Sequence, residues 1–465
     1  MKIRYFFISL IVVIAGIIYV NNKIEEKWFA CRINNYNVIE NMLRNDSVNK
    51  ISKNKNIENK VTENKDILNL KSKSACVYDC NSKRTLYEKN AEERLPMAST
   101  TKIMTCIIAL ENVDLNDTCI VSAYAASMPD VQLNAIKGEK FRIGDLLYSL
   151  MLESHNDVAV VIAEHIGKIV DSKYNNKVNS KSNSQKDYDI NNVEQSKKYV
   201  ASFAKLMNLK AKELGLDNTN FVTPNGLDAE NHYTTAVELA KVAAYAINNK
   251  DFIKITNTSC YSFKSDNGRC FVVNNKNQFL NNYSGAIGCK TGYTSKAGYC
   301  FVGAIDKCGS NNTKYKLVSV VLGCGWPPHK TYKWQDTKKL MDYAVENYSN
   351  KNIVIDSSVF NGKHVLVDNG LDCNFIKPDI SETLNILVNK DENITLESKL
   401  IKKVVAPIKK EQKIGYIDVL INGKLYKRIY IKAKSNIYKV RYRNMFTDLL
   451  HFFTWPNIDI ILNNL

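Results

Sequence analysis

The sequence predicts an α+β chain: one antiparallel sheet with helices packed against it, followed by a small β-rich domain. Three observations predict it. Short strand-like runs at Ala75 to Asp79 and Arg84 to Glu88 open the folded part, and apolar runs at Tyr299 to Ala304 and Tyr315 to Leu322 return near its end. Between them apolar residues recur at three and four, the helical period, in Thr100 to Glu111, Ile143 to Glu153, Asp157 to Ile166, Val200 to Leu214 and Thr235 to Asn248. From Lys351 onward the pattern becomes short strand-like pieces. A sheet assembled from the first and last elements, with the helices laid on it, buries all of these faces at once.

In chain order, Lys2 and Arg4 precede an almost unbroken apolar run from Tyr5 to Val20, and Lys23, Glu25, Glu26 and Lys27 follow it. That is the outline of an export signal. Ile18, Tyr19 and Val20 leave no small-residue cleavage site, which favours residues 1–22 as a retained membrane anchor; cleavage would instead release the protein. Residues 23–73 are crowded with Asn, Lys, Ser, Asp and Glu and read as a tether. The main domain spans 74–348, opening on a hairpin around Cys80-Asn81-Ser82-Lys83 and closing on a helix from Thr331 to Tyr348. Residues 171–194 repeat the tether's composition inside it and read as an inserted surface loop, which costs little because loop-closure entropy grows slowly with length. The β-rich domain, 349–432, contains strand-like pieces at Ile353 to Ile355, His364 to Val367, Leu384 to Leu387, Ile394 to Leu396, Ile414 to Ile421 and Lys424 to Ile431. Asn422-Gly423 between the last two is a hairpin signal. The terminal segment, 433–465, sets Phe446, Leu449, Leu450, Phe452, Phe453 and Trp455 beside Lys439, Arg441 and Arg443, a composition suited to interfacial membrane contact.

The formal charge of +17, from 64 Lys and Arg against 47 Asp and Glu, favours anionic partners. A membrane surface or an anionic cell-wall polymer fits. No clustered basic helix, zinc-finger spacing or aromatic nucleic-acid-binding strand points to nucleic acid. The 12 cysteines have no repeated spacing, and those in apolar runs, such as Cys106 and Cys324, read as small buried hydrophobes. Cys76 and Cys80 lack companions for a metal, and nothing else calls for a metal or cofactor.

Three short segments carry acyl-transfer chemistry. In Pro96-Met97-Ala98-Ser99-Thr100-Thr101-Lys102, at the start of an apolar helix, Ser99 and Lys102 lie one turn apart on the same side. A serine hydroxyl is a weak nucleophile until a base takes its proton, and lysine serves only if burial or nearby positive charge keeps its amine neutral. Ser154-His155-Asn156 joins two apolar helices, a corner from which Ser154 can relay a proton and Asn156 can hold a substrate amide. His155 points away from its neighbours and is assigned no chemistry. Lys290-Thr291-Gly292, before Tyr293, offers a positive charge, a hydroxyl for a substrate carboxylate, and a position where the chain can approach without a side chain.

In this order the three segments resemble the Ser-x-x-Lys, Ser-x-Asn and Lys-Thr-Gly motifs of the low-molecular-mass penicillin-binding proteins that act as serine-type D-Ala-D-Ala carboxypeptidases. Longer stretches are similar too: Leu86 to Thr105, Leu146-Leu147-Tyr148, Ala163 to Gly167, Thr223 to Asp228, His232 to Ala236 and Gly292 to Tyr299. The resemblance covers about residues 74–345, and it suggests that 350–432 is the family's strand-rich accessory domain. Two positions depart from the pattern: His155 stands where glycine is frequent, and Asn225 where histidine is frequent.

The resemblance implies a penicillin-binding/beta-lactamase-like transpeptidase domain and an enzyme that trims the terminal D-alanine from peptidoglycan stem pentapeptides through an acyl-enzyme, with beta-lactams as covalent inhibitors. Catalysis falls to Ser99, Lys102 and Ser154, and substrate binding to Asn156, Lys290, Thr291, Gly292 and Tyr293. The oxyanion is held by the backbone N–H groups of Ser99 and Tyr293. His165 and His232 are left as structural. The localisation implied is the outer face of the cell membrane. A beta-lactamase using Glu153 or Glu164 to activate water, a peptidoglycan DD-endopeptidase and a non-enzymatic wall-binding protein remain alternatives at this point.

Overall fold

A computed structural model describes residues 66–178, 188–309, 312–371 and 373–440 of the chain, with side chains omitted for 173–178. The apolar run from Tyr5 to Val20 and the aromatic segment from Phe446 to Trp455 lie outside the described residues.

Five antiparallel strands form the main sheet in the order Arg84–Lys89, Ser74–Asp79, Lys314–Leu322, Gly298–Cys308 and Ala286–Thr294. First and last elements thus meet at its centre, as expected of the sequence. The central strands are apolar along their whole length because both faces are covered. Alternation sends Cys76, Tyr78, Val318, Val320 and Leu322 into a core shared with the helices of the main domain. Ala75, Val77, Leu317 and Val321 face the other way, onto Leu340, Met341 and Ala344 of the helix Tyr332–Asn347.

The helix Lys102–Asn112 runs through the first core, and every residue from Lys102 to Ala109 is buried. A helix apolar all round is a central one. The helices Ile143–Leu152, Asn156–Val178, Val193–Glu213 and Ala236–Ala246 surround it. A hairpin of Cys260–Lys264 and Cys270–Asn274, which periodicity did not reveal, packs Phe263 and Phe271 against Phe141.

Three boundaries differ from the sequence reading. The stretch 171–194 is not one loop: the preceding helix continues to Val178, and the next begins at Val193, where the Asn192 side chain accepts the Gln195 N–H as an N-cap. Tyr188 donates to the buried Glu164 at 3.0 Å, and the Ile190 carbonyl accepts the Ala123 N–H at 2.8 Å. At the other edge, the tether does not reach residue 73. Leu70 is buried, Ser72 N–H donates to Asp336 Oδ2 at 2.8 Å, and Lys73 N–H reaches Leu322 O. Nor does the β-rich domain end at 432, because Ala433 and Ile437 belong to its core and Val440 N–H donates to Asn369 O. Composition signalled a tether, an inserted loop and a membrane-contacting terminus, while one or two apolar residues, or the donors of the main chain, had partners to satisfy at each edge.

The second domain contains three small sheets around Ile355, Phe360, Val365, Ile417 and Ile431. The Asn422-Gly423 hairpin forms, both residues having positive φ (49° and 74°), as the tight turn requires. Beside it Arg428 grips the buried Asp418 directly across the ladder through two bonds of 2.6 and 2.7 Å. Short pieces at Phe375–Ile376 and Lys403–Val405 were not legible in the sequence.

Candidate active site

The three sequence segments come together around the Ser99 turn. Ser99 lies in the 3-10 turn Ala98–Thr101 that leads directly into the helix Lys102–Asn112, so Lys102 comes round beneath it. Lys102 Nζ is 2.9 Å from Ser99 Oγ, 2.8 Å from Asn156 Oδ1 and 2.6 Å from the carbonyl oxygen of Asn225. Ser99 is half-buried, whereas Lys102 is fully buried. Burial, with the charge of Lys290 second, holds the Lys102 amine well below the usual lysine range, against an opposing pull from Asp157.

Asn156 starts its helix at the corner after Ser154. Its amide nitrogen donates to Pro129 O and Asp130 O at 3.1 and 3.0 Å, which turns Oδ1 toward Lys102. Ser154, with φ of 76°, has a buried hydroxyl without a hydrogen-bond partner. His155 turns away, as read: Nδ1 pairs with Ser149 Oγ at 2.7 Å and Nε2 faces Glu153.

Lys290, Thr291, Gly292 and Tyr293 lie in the strand Ala286–Thr294. This strand is the edge of the main sheet, so its outer side is unpaired and runs along the Ser99 turn. A Cβ on Gly292 would lie 2.9 Å from Ser99 N and 3.1 Å from both Ala98 Cβ and Thr100 N, so only glycine allows the approach. Lys290 is buried and donates to Thr291 O at 3.0 Å; burial, and then the charge of Lys333, pulls its amine down to about 7. Tyr293 is exposed at the strand's end.

Two contributions escaped sequence reasoning. The buried Asp157 accepts the N–H groups of Leu133 and Ala135 at 3.0 and 3.2 Å, fixing the loop whose carbonyls orient Asn156. It follows Asn156 directly in the chain, the one signal that could have found it. Asn225 acts through its main chain, which no residue type announces.

A family model described as D-alanyl-D-alanine carboxypeptidase matches residues 58–194 and 196–325. The chain belongs to that family. A second model, described as the penicillin-binding protein 5 C-terminal domain, matches residues 345–439. Among curated relatives, a Bacillus subtilis D-alanyl-D-alanine carboxypeptidase is 30% identical over 376 residues, covering 79% of this chain and 86% of the relative. One from a Streptomyces strain is 32% identical over 271 residues, covering 56% and 82%. Among solved structures, penicillin binding protein 5 of Haemophilus influenzae superposes with a TM-score of 0.60 over 80% of this chain and 98% of its own; at 24% identity this shows the fold. The enzyme is therefore a serine-type carboxypeptidase of the penicillin-binding type.

Glu153 and Glu164 do not hydrogen-bond to the Ser99–Lys102 pair. Glu153 accepts Asn274 N–H and Lys276 Nζ, and Glu164 accepts the Ser122 and Tyr188 hydroxyls.

Proposed function

We propose that this D-alanyl-D-alanine carboxypeptidase removes the terminal D-alanine of peptidoglycan stem pentapeptides through an acyl-enzyme on Ser99. The contact geometry of the Lys102 amine carries this reading. A neutral amine has two N–H donors and one lone pair. Asn156 Oδ1 and Asn225 O, acceptors held 2.8 and 2.6 Å away, take the two donors. The lone pair is then left for the Ser99 hydroxyl at 2.9 Å. Desolvation favours the neutral form of the amine, the form able to act as base.

Ser99 Oγ attacks the carbonyl carbon of the penultimate D-alanine as Lys102 takes its proton. The tetrahedral oxygen is stabilised by the Ser99 and Tyr293 N–H groups. The C–N bond breaks as the proton held by Lys102 passes through the Ser154 hydroxyl, on the Lys290 side, to the leaving nitrogen; water then gives a proton to Lys102, its oxygen attacks the ester carbonyl, and that proton returns to Ser99 Oγ as the ester bond breaks. The substrate backbone lies against the unpaired edge of the strand Ala286–Thr294, with Asn156 holding its amide. Lys290 and Thr291 meet its terminal carboxylate. Beta-lactams acylate the same serine. Mass spectrometry of a defined pentapeptide after incubation tests the reading: loss of one D-alanine is expected, and cleavage only at a cross-link would replace it with an endopeptidase.

Acylation requires Lys102 neutral and Lys290 charged. Its second-order rate should rise with pH through the lowered Lys102 pKa and fall as Lys290, at about 7, loses its proton. In Lys290→Arg, which keeps its charge, the alkaline limb should move up. An identical limb in that variant would remove the Lys290 charge from the account.

Attachment to the membrane surface rests on the sequence at both chain ends, and among the described residues no helix is long and apolar enough to cross a membrane. Liposome flotation separates the two contacts. A chain starting at Leu68 should still bind anionic vesicles, and one also lacking 441–465 should not; equal flotation would exclude the C-terminal contact.

A further inference from the structure

His232 is buried close to the nucleophile's turn, and the proton transfers above do not use it. Its Nδ1 accepts the Val222 N–H at 2.9 Å, so that nitrogen carries no proton. The ring proton is therefore on Nε2, 2.9 Å from Thr101 Oγ1, and Nε2–H donates to that hydroxyl. With this donor fixed, the Thr101 hydroxyl spends its own proton on the carbonyl of Ala98, 2.8 Å away. Burial holds the imidazole down to about 4, so the neutral tautomer persists through the enzyme's working range.

The carbonyl at the end of this chain belongs to the residue before Ser99. Ala98 has a φ of 49°, in the left-handed region that residues with a Cβ rarely occupy. Without support the turn would relax, and Ser99 would leave the amine with it. Support comes from Thr101 on one side and from Gly226 on the other, where a Cβ would lie 2.0 Å from Ala98 O.

We infer that His232 is a positioning residue for acyl transfer: through Thr101 it holds the Ala98 carbonyl in the left-handed turn and so fixes the Ser99 hydroxyl against the Lys102 amine. This rests on the reading of Ser99 and Lys102 given above. His232 touches neither substrate nor reacting atoms, and its effect falls on the chemical step.

The test is stopped-flow acylation of the full-length protein by a fluorescent penicillin, resolving the non-covalent dissociation constant from the acylation rate constant, with a melting temperature for every variant. His232→Phe should lower the rate constant about tenfold, the worth of one well-made hydrogen bond, and leave the dissociation constant unchanged. His232→Gln keeps a donor and an acceptor and should recover most of the rate. Thr101→Val should match His232→Phe, and the double variant should be no slower than either single one, because both break the same chain. An unchanged rate constant in His232→Phe or in Thr101→Val overturns the inference. So does a loss that His232→Gln fails to recover and that tracks the melting temperature, which would make His232 a packing residue only. Acylation at a residue other than Ser99 would overturn both this inference and the reading beneath it.

Discussion

Lys102→Met should lower the rate of acylation by about 10² to 10⁴, the range that positioned proton transfer contributes. Methionine approximates the lysine stem in volume, so the helix Lys102–Asn112 keeps its packing while the base disappears. The variant also removes the amine that Asn156 Oδ1 and Asn225 O meet at 2.8 and 2.6 Å, although Asn225 O keeps the Ser99 hydroxyl at 3.4 Å. Leaving a buried acceptor unpaired costs about 1–3 kcal/mol, whereas removing a buried amine relieves its desolvation. Stability should therefore change far less than rate. Stopped-flow labelling beside a denaturation curve checks both, and near-parental acylation would contradict the assignment of Lys102 as base.

Gly226→Ala should be the most damaging single methyl in the molecule's main domain. The added carbon would lie 2.0 Å from Ala98 O and 2.9 Å from Thr101 Oγ1, at a position whose φ is +83°. The obstructing atom is backbone, so it cannot swing aside as a side-chain tip would. Overpacking and left-handed strain together put the cost at about 3–5 kcal/mol, and any accommodation would displace Ala98 and hence Ser99. Gly215→Ala is the control: φ there is +69° with nothing within 4 Å, so only the strain of about 1 kcal/mol applies. Equal denaturation midpoints for the two variants would show that the turn around Ala98 yields.

The chemistry of the site was legible wherever it depends on a residue type at a fixed spacing. Ser99 and Lys102 are one helical turn apart, and Asn156 and Lys290 sit in short segments of recognisable composition. What acts through the main chain or through a neighbour was not. Asn225 drew notice as a departure from a familiar pattern, yet its contribution is a carbonyl that any residue possesses. His232 was left as structural, and its actual partners, Thr101 Oγ1 and Val222 N, are 131 and 10 residues away in sequence. Asp157 was read only as the first residue of an apolar helix.

The fold shows the same division. Continuous apolar strands and helical periods survive any local exception, so the sheet built from both ends of the domain and the β-rich second domain were readable. Lys290-Thr291-Gly292 was read as a segment ahead of the strand from Tyr299, whereas it lies inside a strand of its own, Ala286–Thr294, where Gly292 lets the sheet edge approach Ser99. Boundaries misread from composition turned on single groups: Leu70 in the core beside the last helix, Tyr188 on Glu164, and Ile437 paired with Ile408.

The most direct measurement of the central claim is the intact mass of the full-length protein after exposure to a beta-lactam, followed by peptide mapping, for the parent and for Ser99→Ala. The parent should gain one covalent adduct, carried by the peptide containing Ser99, and should release D-alanine from a pentapeptide. Ser99→Ala should gain none and release none, and an adduct on that variant, or D-alanine released by it, would contradict the assignment of Ser99 as the nucleophile.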